Sequence, residues 1–126
     1  MSLQRLVDEE GGSSAIEFAL TAPAFFVALF AIMEAGLLLL TQVGLQRASQ
    51  ATARCLSLTP AVCSSESAAK SYAVQQSFGL TVPASTFTVS TPTCGNQVAA
   101  NYSFTLLTTY FGLPTITLKA QACFPK

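Results

Sequence analysis

The sequence predicts an α+β protein in which a long apolar helix precedes a small domain with a short second helix and an antiparallel sheet of three to four strands. The 26 residues from Ala15 to Leu40 include 21 hydrophobic ones, whereas the rest of the chain has an ordinary soluble composition. After Leu80 the apolar residues alternate with polar ones, which is typical of strands with one buried face.

The charged residues exclude several functions. The chain has 126 residues and only 12 charges, six of each sign, and no basic run that nucleic acid would require. It contains no histidine and no Asp or Glu after Glu66, which removes histidine acid–base chemistry and paired carboxylates from its C-terminal half. We therefore expect no enzyme activity, no catalytic residues, no cofactor, no metal site and no nucleic-acid partner.

The apolar segment has the length of a membrane helix. Phe18 to Leu40 is 23 residues with one charge, Glu34, and a helix of that length spans roughly 34 Å. A cleaved secretory signal has an apolar region of about 7–15 residues after a basic start. This chain instead begins with one Arg and three acids, so we predict a retained membrane helix.

The residues before this segment are spaced like a processing site. A cut after Gly12 would leave Ser13 as the first residue and Glu17 as the fifth, whereas a cut after Gly11 would make Glu17 the sixth. A Glu at the fifth position resembles the class III signal of type IV pilins and pseudopilins, which a membrane prepilin peptidase cuts after Gly.

A longer motif resembles the TadE family, the pseudopilin-like proteins of tight-adherence (Flp, type IVc) pilus systems. The matching residues are Ala15, Ile16, Glu17, Phe18, Ala19, Leu20, Pro23, Glu34 and Gly36. A proline and two glutamates are costly in a membrane helix, so the motif is fairly specific. The sequence departs from the family in its leader, where Arg5 is the only basic residue. The positive-inside rule therefore gives no help, and the orientation follows from the resemblance and the cysteines.

The resemblance implies a pilin-like fold with a leader peptide (1–12), a transmembrane helix (13–40) and an extracytoplasmic domain (41–126). It implies a pseudopilin or minor pilin whose partners are a prepilin peptidase, other pilins or pseudopilins, the pilus assembly platform and the lipid bilayer. Glu17, Phe18 and Glu34 would act in assembly. The protein would cross the bacterial inner membrane once, with its C-terminal domain in the periplasm, or reach the cell surface in the pilus. The alternative is a membrane-anchored extracytoplasmic binding module that enters no filament.

The helix is expected to continue beyond the membrane, from about residue 14 to residue 56. One side of its outer half is apolar or small, and Thr59-Pro60 would end it. The residues of this side are Leu45, Ala48, Ala51, Thr52, Cys55 and Leu56. Two helices broken near Gly44 are the alternative. A short second helix is predicted from an N-cap at Ser64-Ser65 to a stop at Gly79.

Three alternating segments predict the strands, joined by turns that contain Gly and Pro. Their buried positions are Phe87 and Val89 in the first, Val98, Ala100, Tyr102, Phe104 and Leu106 in the second, and Ile116, Leu118, Ala120, Ala122 and Phe124 in the third. This buried face requires a partner, and the outer half of the long helix is the only sizeable one.

Four cysteines in a small exported domain predict two disulfides, because no Cys-x-x-Cys or histidine supports zinc. Four cysteines allow three pairings. We prefer Cys55–Cys63, closing the turn between the helices, and Cys94–Cys123, tying the first turn of the sheet to its last strand.

The turn before the last strand is unusually apolar. Tyr110, Phe111 and Leu113 interrupt the alternation. They predict either a cap over the open end of the sheet's core or a contact with another subunit or the membrane surface.

Overall fold

The structure, a computed structural model, describes residues 11–106, 112 and 114–126, the first three of them by backbone alone. The described elements are helix α1 (Gly11–Leu58), helix α2 (Glu66–Gln76), a short 3-10 turn (Ala84–Thr86), and strands β1 (Phe87–Ser90), β2 (Asn96–Phe104) and β3 (Ile116–Phe124). The chain divides into two compact units, one ending at Ala35 and one running from Gly36 to Lys126. In the second unit the apolar helix packs on α2 and the sheet, which confirms the predicted α+β, pilin-like arrangement.

Helix α1 is one continuous helix of 48 residues, so the alternative of a break near Gly44 is wrong. Gly44 is instead a point of close approach. A Cβ atom there would lie 2.7 Å from Leu80 Cδ1 and 3.2 Å from the Ser77 carbonyl oxygen. The missing side chain therefore lets the turn after α2 pack directly on α1. The helix ends at Leu58, just before the predicted Thr59-Pro60 boundary.

Helix α2 begins as predicted and ends earlier than predicted. The Ala68 N–H donates a hydrogen bond of 3.2 Å to Ser65 Oγ, and Glu66 forms an ion pair of 2.6 Å with Lys70. The predicted stop at Gly79 is too late, because the buried Ser77 closes the helix after Gln76. The Ser77 hydroxyl and N–H both donate to the Val74 carbonyl, at 2.6 and 3.3 Å.

The sheet has three described antiparallel strands in the order β1-β2-β3. Phe87 pairs with Ala100 and, across the next strand, Ala100 pairs with Ala120, so one face carries the predicted apolar residues. Strand β2 ends at Phe104, two residues before the predicted alternation ends at Leu106.

The core lies between this face and the buried side of α1. Its members are Leu45, Ala48 and Ala53 from α1, Ala73 from α2, Val82 from the segment between α2 and the 3-10 turn, and Phe87, Val98, Ala100, Leu118 and Ala120 from the sheet. Phe87 and Leu45 are the largest side chains that are fully buried. Each contributes about 1.5–3 kcal/mol through burial, and the alanines allow helix and sheet to approach closely.

Side chains of α1 also cover the outer edge of β3. Gln42 Nε2 donates to the Lys119 carbonyl at 2.8 Å, and Gln46 Nε2 donates to the Gln121 carbonyl at 3.2 Å. Four helical residues advance about 6 Å and two strand residues about 6.6 Å, so the two elements run side by side in register. An edge strand with unpaired carbonyls can pair with another chain, and the two glutamines satisfy these groups internally.

Two disulfides close the domain, and both join the cysteines that the sequence analysis paired. Cys55 and Cys63, 8 positions apart in the sequence, link the end of α1 to the following turn. Cys94 and Cys123 link the β1–β2 turn to the end of β3 over 29 residues.

The longer loop predicts unequal contributions to stability. By the entropy of loop closure, the Cys94–Cys123 bond contributes about 3.6 kcal/mol and the Cys55–Cys63 bond about 2.5 kcal/mol. The Cys94→Ser/Cys123→Ser protein should therefore unfold at lower denaturant than the Cys55→Ser/Cys63→Ser protein. Equilibrium denaturation of both proteins in the same detergent measures the difference. The reverse order would show that native packing around Cys55, not loop closure, dominates.

Candidate functional site

The N-terminal part of α1 exposes apolar side chains on every side. Between Ile16 and Leu40, large residues such as Phe18, Leu20 and Ile32 are 70–75% exposed. Among the described residues, α1 is the one helix long and apolar enough to cross a membrane. A helix that is apolar all round is buried in lipid or among other helices. Its surface is therefore the candidate functional site.

The predicted processing residues lie at the beginning of this helix. The backbones of Gly12 and Ser13 are already helical, and Glu17 follows about one turn later with an exposed side chain. The first N–H groups of a helix have no partner within it and carry a partial positive charge. Glu17 thus places a carboxylate near the positive end of the helix.

Thr21 and Pro23 modify the helix next to Glu17. The Thr21 hydroxyl donates to the Glu17 carbonyl at 2.9 Å, with a longer contact of 3.3 Å to the Phe18 carbonyl. Pro23 has no N–H, so the Ala19 carbonyl loses its usual intrahelical donor. The Thr21 hydroxyl thus has its hydrogen-bond partner within the helix. The Ala19 carbonyl does not have its usual donor, and such a position favours a donor from a neighbouring helix or a slight bend.

Aromatic side chains follow the glutamate and frame a shallow groove along one side of the helix. Phe25 and Phe26 meet edge to face with ring centroids 6.0 Å apart. Together with Phe18, they flank the small residues Thr21 and Ala22, which form the floor of the groove. Small residues between large ones let another helix approach closely in an apolar environment.

Glu34 is not brought together with Glu17. The two carboxylates are 17 residues apart, which is about 25 Å along a helix, and Glu34 is half-buried. Of the other predicted contact residues, Tyr110, Phe111 and Leu113 lie outside the described residues. The four cysteines belong to the second unit and form its disulfides.

Several contacts that join distant parts of the chain were not predicted from the sequence. The Arg47 guanidinium lies 4.6 Å from the centroid of the Phe78 ring, and that of Arg54 lies 5.6 Å from the centroid of the Phe124 ring. The spacing of Gln42 and Gln46 by four residues was the one available signal for the helix–strand contact. No local pattern could pair these arginines with rings 31 and 70 residues away.

A family model described as TadE-like protein matches residues 12–54. The chain is TadE-like over this segment. The match covers 43 of the 126 residues and includes Gly12, both glutamates of α1 and Pro23. No significant match was found among curated proteins or among solved structures.

The TadE-like segment contains the exposed apolar surface and the beginning of the domain's buried helix face. The family is associated with tight-adherence pili and is not known for enzymes. Together with the two disulfides, the apolar helix indicates a membrane-anchored extracytoplasmic domain. What the site offers chemically is a surface for lipid or other helices with a carboxylate near its N-terminal end.

Proposed function

We propose that this protein is a pseudopilin or minor pilin that takes part in assembly of a tight-adherence pilus. The observation that carries the proposal is the TadE-like match on a helix whose apolar surface is exposed and whose first turns contain Glu17. Such a protein has no substrate. Its activity is to leave the bilayer and pack its helix among the helices of other pilins.

The proposed location is the bacterial inner membrane. Residues 1–12 form the leader, 13–40 cross the bilayer once, and 41–126 fold in the periplasm. Two disulfides support an oxidising compartment for the domain. The proposed partners are a prepilin peptidase, the assembly platform and other pilins.

Processing after Gly12 is the first expected result. Protein from cells with an active prepilin peptidase should lack residues 1–12, because the peptidase cuts after the glycine that places Glu17 fifth. Intact mass spectrometry of membrane-extracted protein measures this loss. Gly12→Ala should leave the chain uncut, whereas the matched variant Gly11→Ala should still be processed. Full-length wild-type protein in those cells would exclude processing.

Deletion of the gene in its host tests assembly itself. Surface pili should be lost or reduced, and the wild-type gene should restore them while the Gly12→Ala gene should not. Crosslinking in the wild-type membrane should capture other pilus components. Normal piliation in the deletion strain would contradict the proposal and favour an anchored module outside the filament.

A further inference from the structure

Phe78 occupies an unusual position at the end of α2. Its φ is +56°, in the left-handed region that glycine normally takes after a helix. The residue is 58% exposed, so burial does not compensate for the strained backbone. A non-glycine residue in this conformation costs about 1–3 kcal/mol, and such residues cluster at functional surfaces.

Arg47 of α1 holds the Phe78 ring at a defined level of that helix. Its Cζ lies 4.6 Å from the ring centroid. The same turn packs on α1 through Ser77 and Leu80, which would lie within 3.2 Å of a Cβ on Gly44. Phe78 is therefore fixed beside the Gly44–Arg47 turn of α1.

The exposed stripe of α1 changes from apolar to basic at this turn. Residues at alternating spacings of four and three follow one another along the solvent side of the helix. They are Gly36, Leu40, Val43, Arg47, Gln50 and Arg54. Leu40 and Val43 are 55% and 59% exposed, and both arginines are exposed. The boundary between lipid-like and water-like surface thus lies between Val43 and Arg47.

The domain beyond the membrane segment is basic although the whole chain is neutral. Residues 41–126 contain five basic residues and one acid, Glu66, a formal charge of +4. Glu66 is itself paired with Lys70. The acidic residues of the N-terminal part offset this charge, so the net charge of the chain is zero although anionic surfaces attract the domain.

We infer that Arg47 and Phe78 form a membrane-interface anchor that rests the domain on anionic phospholipid headgroups. Counted from Leu40, Val43 lies about 4.5 Å and Arg47 about 10 Å farther along the helix. The headgroup layer adds about 5–8 Å beyond the hydrocarbon core. An arginine side chain can bend toward lipid phosphates while its stem and a neighbouring aromatic ring remain in the interface.

The chemistry of the pair suits a phosphodiester. A guanidinium stacked on a ring binds through its face and presents its N–H groups at its edge, where they can donate two parallel hydrogen bonds to phosphate oxygens. The occupant is a phospholipid because the patch continues the exposed apolar stripe of the membrane helix. This anchor acts while the helix is still in the bilayer. It is expected whether or not the protein later enters a filament.

A single tryptophan can report the position of Phe78, since the chain contains none. The full-length Phe78→Trp protein is reconstituted into vesicles of phosphatidylglycerol and phosphatidylcholine with brominated acyl chains, which quench nearby indole fluorescence. Val62→Trp is the matched control, because Val62 is 57% exposed and follows the far end of α1. Circular dichroism and the absence of free thiols verify the fold of each variant.

Phe78→Trp should show several-fold greater quenching than Val62→Trp and a blue-shifted emission. Adding Arg47→Ala, or replacing phosphatidylglycerol with phosphatidylcholine, should reduce the quenching, while Arg47→Lys should retain part of it. Equal, weak quenching of both reporters overturns the anchor. Emission that changes only when pilus subunits are added overturns it too, and assigns the patch to a neighbouring protein. Quenching independent of Arg47 and of lipid charge overturns the headgroup contact.

Discussion

Replacing Gly95 with alanine is expected to remove much of the stability of the domain. Gly95 immediately precedes β2 and has a φ of +126°, a conformation that residues with a Cβ rarely adopt. A Cβ there would lie 2.2 Å from the Phe124 carbonyl oxygen and 2.7 Å from Pro125 Cα. Both are backbone atoms, so no side-chain rotation relieves the overlap. The cost should be at least about 3 kcal/mol, against a total of about 5–15 kcal/mol for a typical domain.

The same change should disturb the adjacent disulfide. Cys94 precedes Gly95 and is bonded to Cys123, so displacing the end of β3 separates the two sulfur atoms. Gly95→Ala should therefore increase free thiol at these cysteines in addition to lowering the denaturation midpoint. Denaturant titration followed by circular dichroism, and alkylation without reductant, measure the two effects.

Gly36→Ala is the matched control for this experiment. A Cβ at Gly36 meets no atom within 4 Å, and alanine is the better helix former by about 1 kcal/mol. Its stability should equal or exceed that of the wild type. If Gly95→Ala is equally stable and fully oxidised, the turn and the end of β3 are not packed as the structure has them.

The elements predicted well from sequence are those with strong local patterns. Alternation identified β1 and β3 because one face of each strand is buried and the other is wet. Ser65 was identified as a helix cap because its hydroxyl bonds within its own turn. The disulfide pairing could be predicted from the rough order of helix, turns and strands alone. Cys55–Cys63 closes the turn after α1, and Cys94–Cys123 ties the β1–β2 turn to β3.

The elements predicted poorly depend on contacts between distant residues. The end of α2 was placed at Gly79 because glycine is the usual left-handed residue, yet Ser77 and Phe78 end the helix through the packing of Leu80 on Gly44. Net charge was interpreted for the whole chain, which concealed the separation between an acidic N-terminal part and a basic domain. The pairing of Arg47 with Phe78 also requires the tertiary structure.

We propose that Glu17 acts in assembly and that folding does not require it. Cutting after Gly12 would create an ammonium group on Ser13, at the end of a helix whose dipole is already positive. An unpaired charge entering an apolar environment is strongly unfavourable, so a nearby carboxylate stabilises the packed state. Glu17 lies about one turn from Ser13 and could pair with its own amine. In filaments of proteins that the chain resembles, the equivalent glutamate meets a neighbour's amine and sets the axial register.

Glu17→Ala and Glu17→Gln should leave membrane insertion and processing intact and should strongly reduce piliation. Insertion survives because removing a charge makes the segment more compatible with lipid. Protein mass reports processing, membrane fractionation reports insertion, and electron microscopy of sheared pili reports assembly. Glu66→Gln is the control. It removes an exposed carboxylate from α2 and its ion pair with Lys70, and it should leave processing, insertion and assembly unchanged.

Glu17→Asp separates pairing within one chain from pairing between neighbours. Aspartate keeps the charge and shortens the side chain by one methylene group, so an amine one turn away on the same helix end can still reach it. A neighbour's amine is held in place by helix packing, so the shorter aspartate would not reach it. If that contact sets the axial register, Glu17→Asp should impair assembly. Loss of pili with Glu17→Asp therefore indicates pairing between subunits, and normal pili with Glu17→Asp but not Glu17→Ala indicate pairing within the chain. Normal pili with Glu17→Ala would reduce Glu17 to an acid that stabilises the helix end, and would remove the electrostatic step from the proposed assembly mechanism.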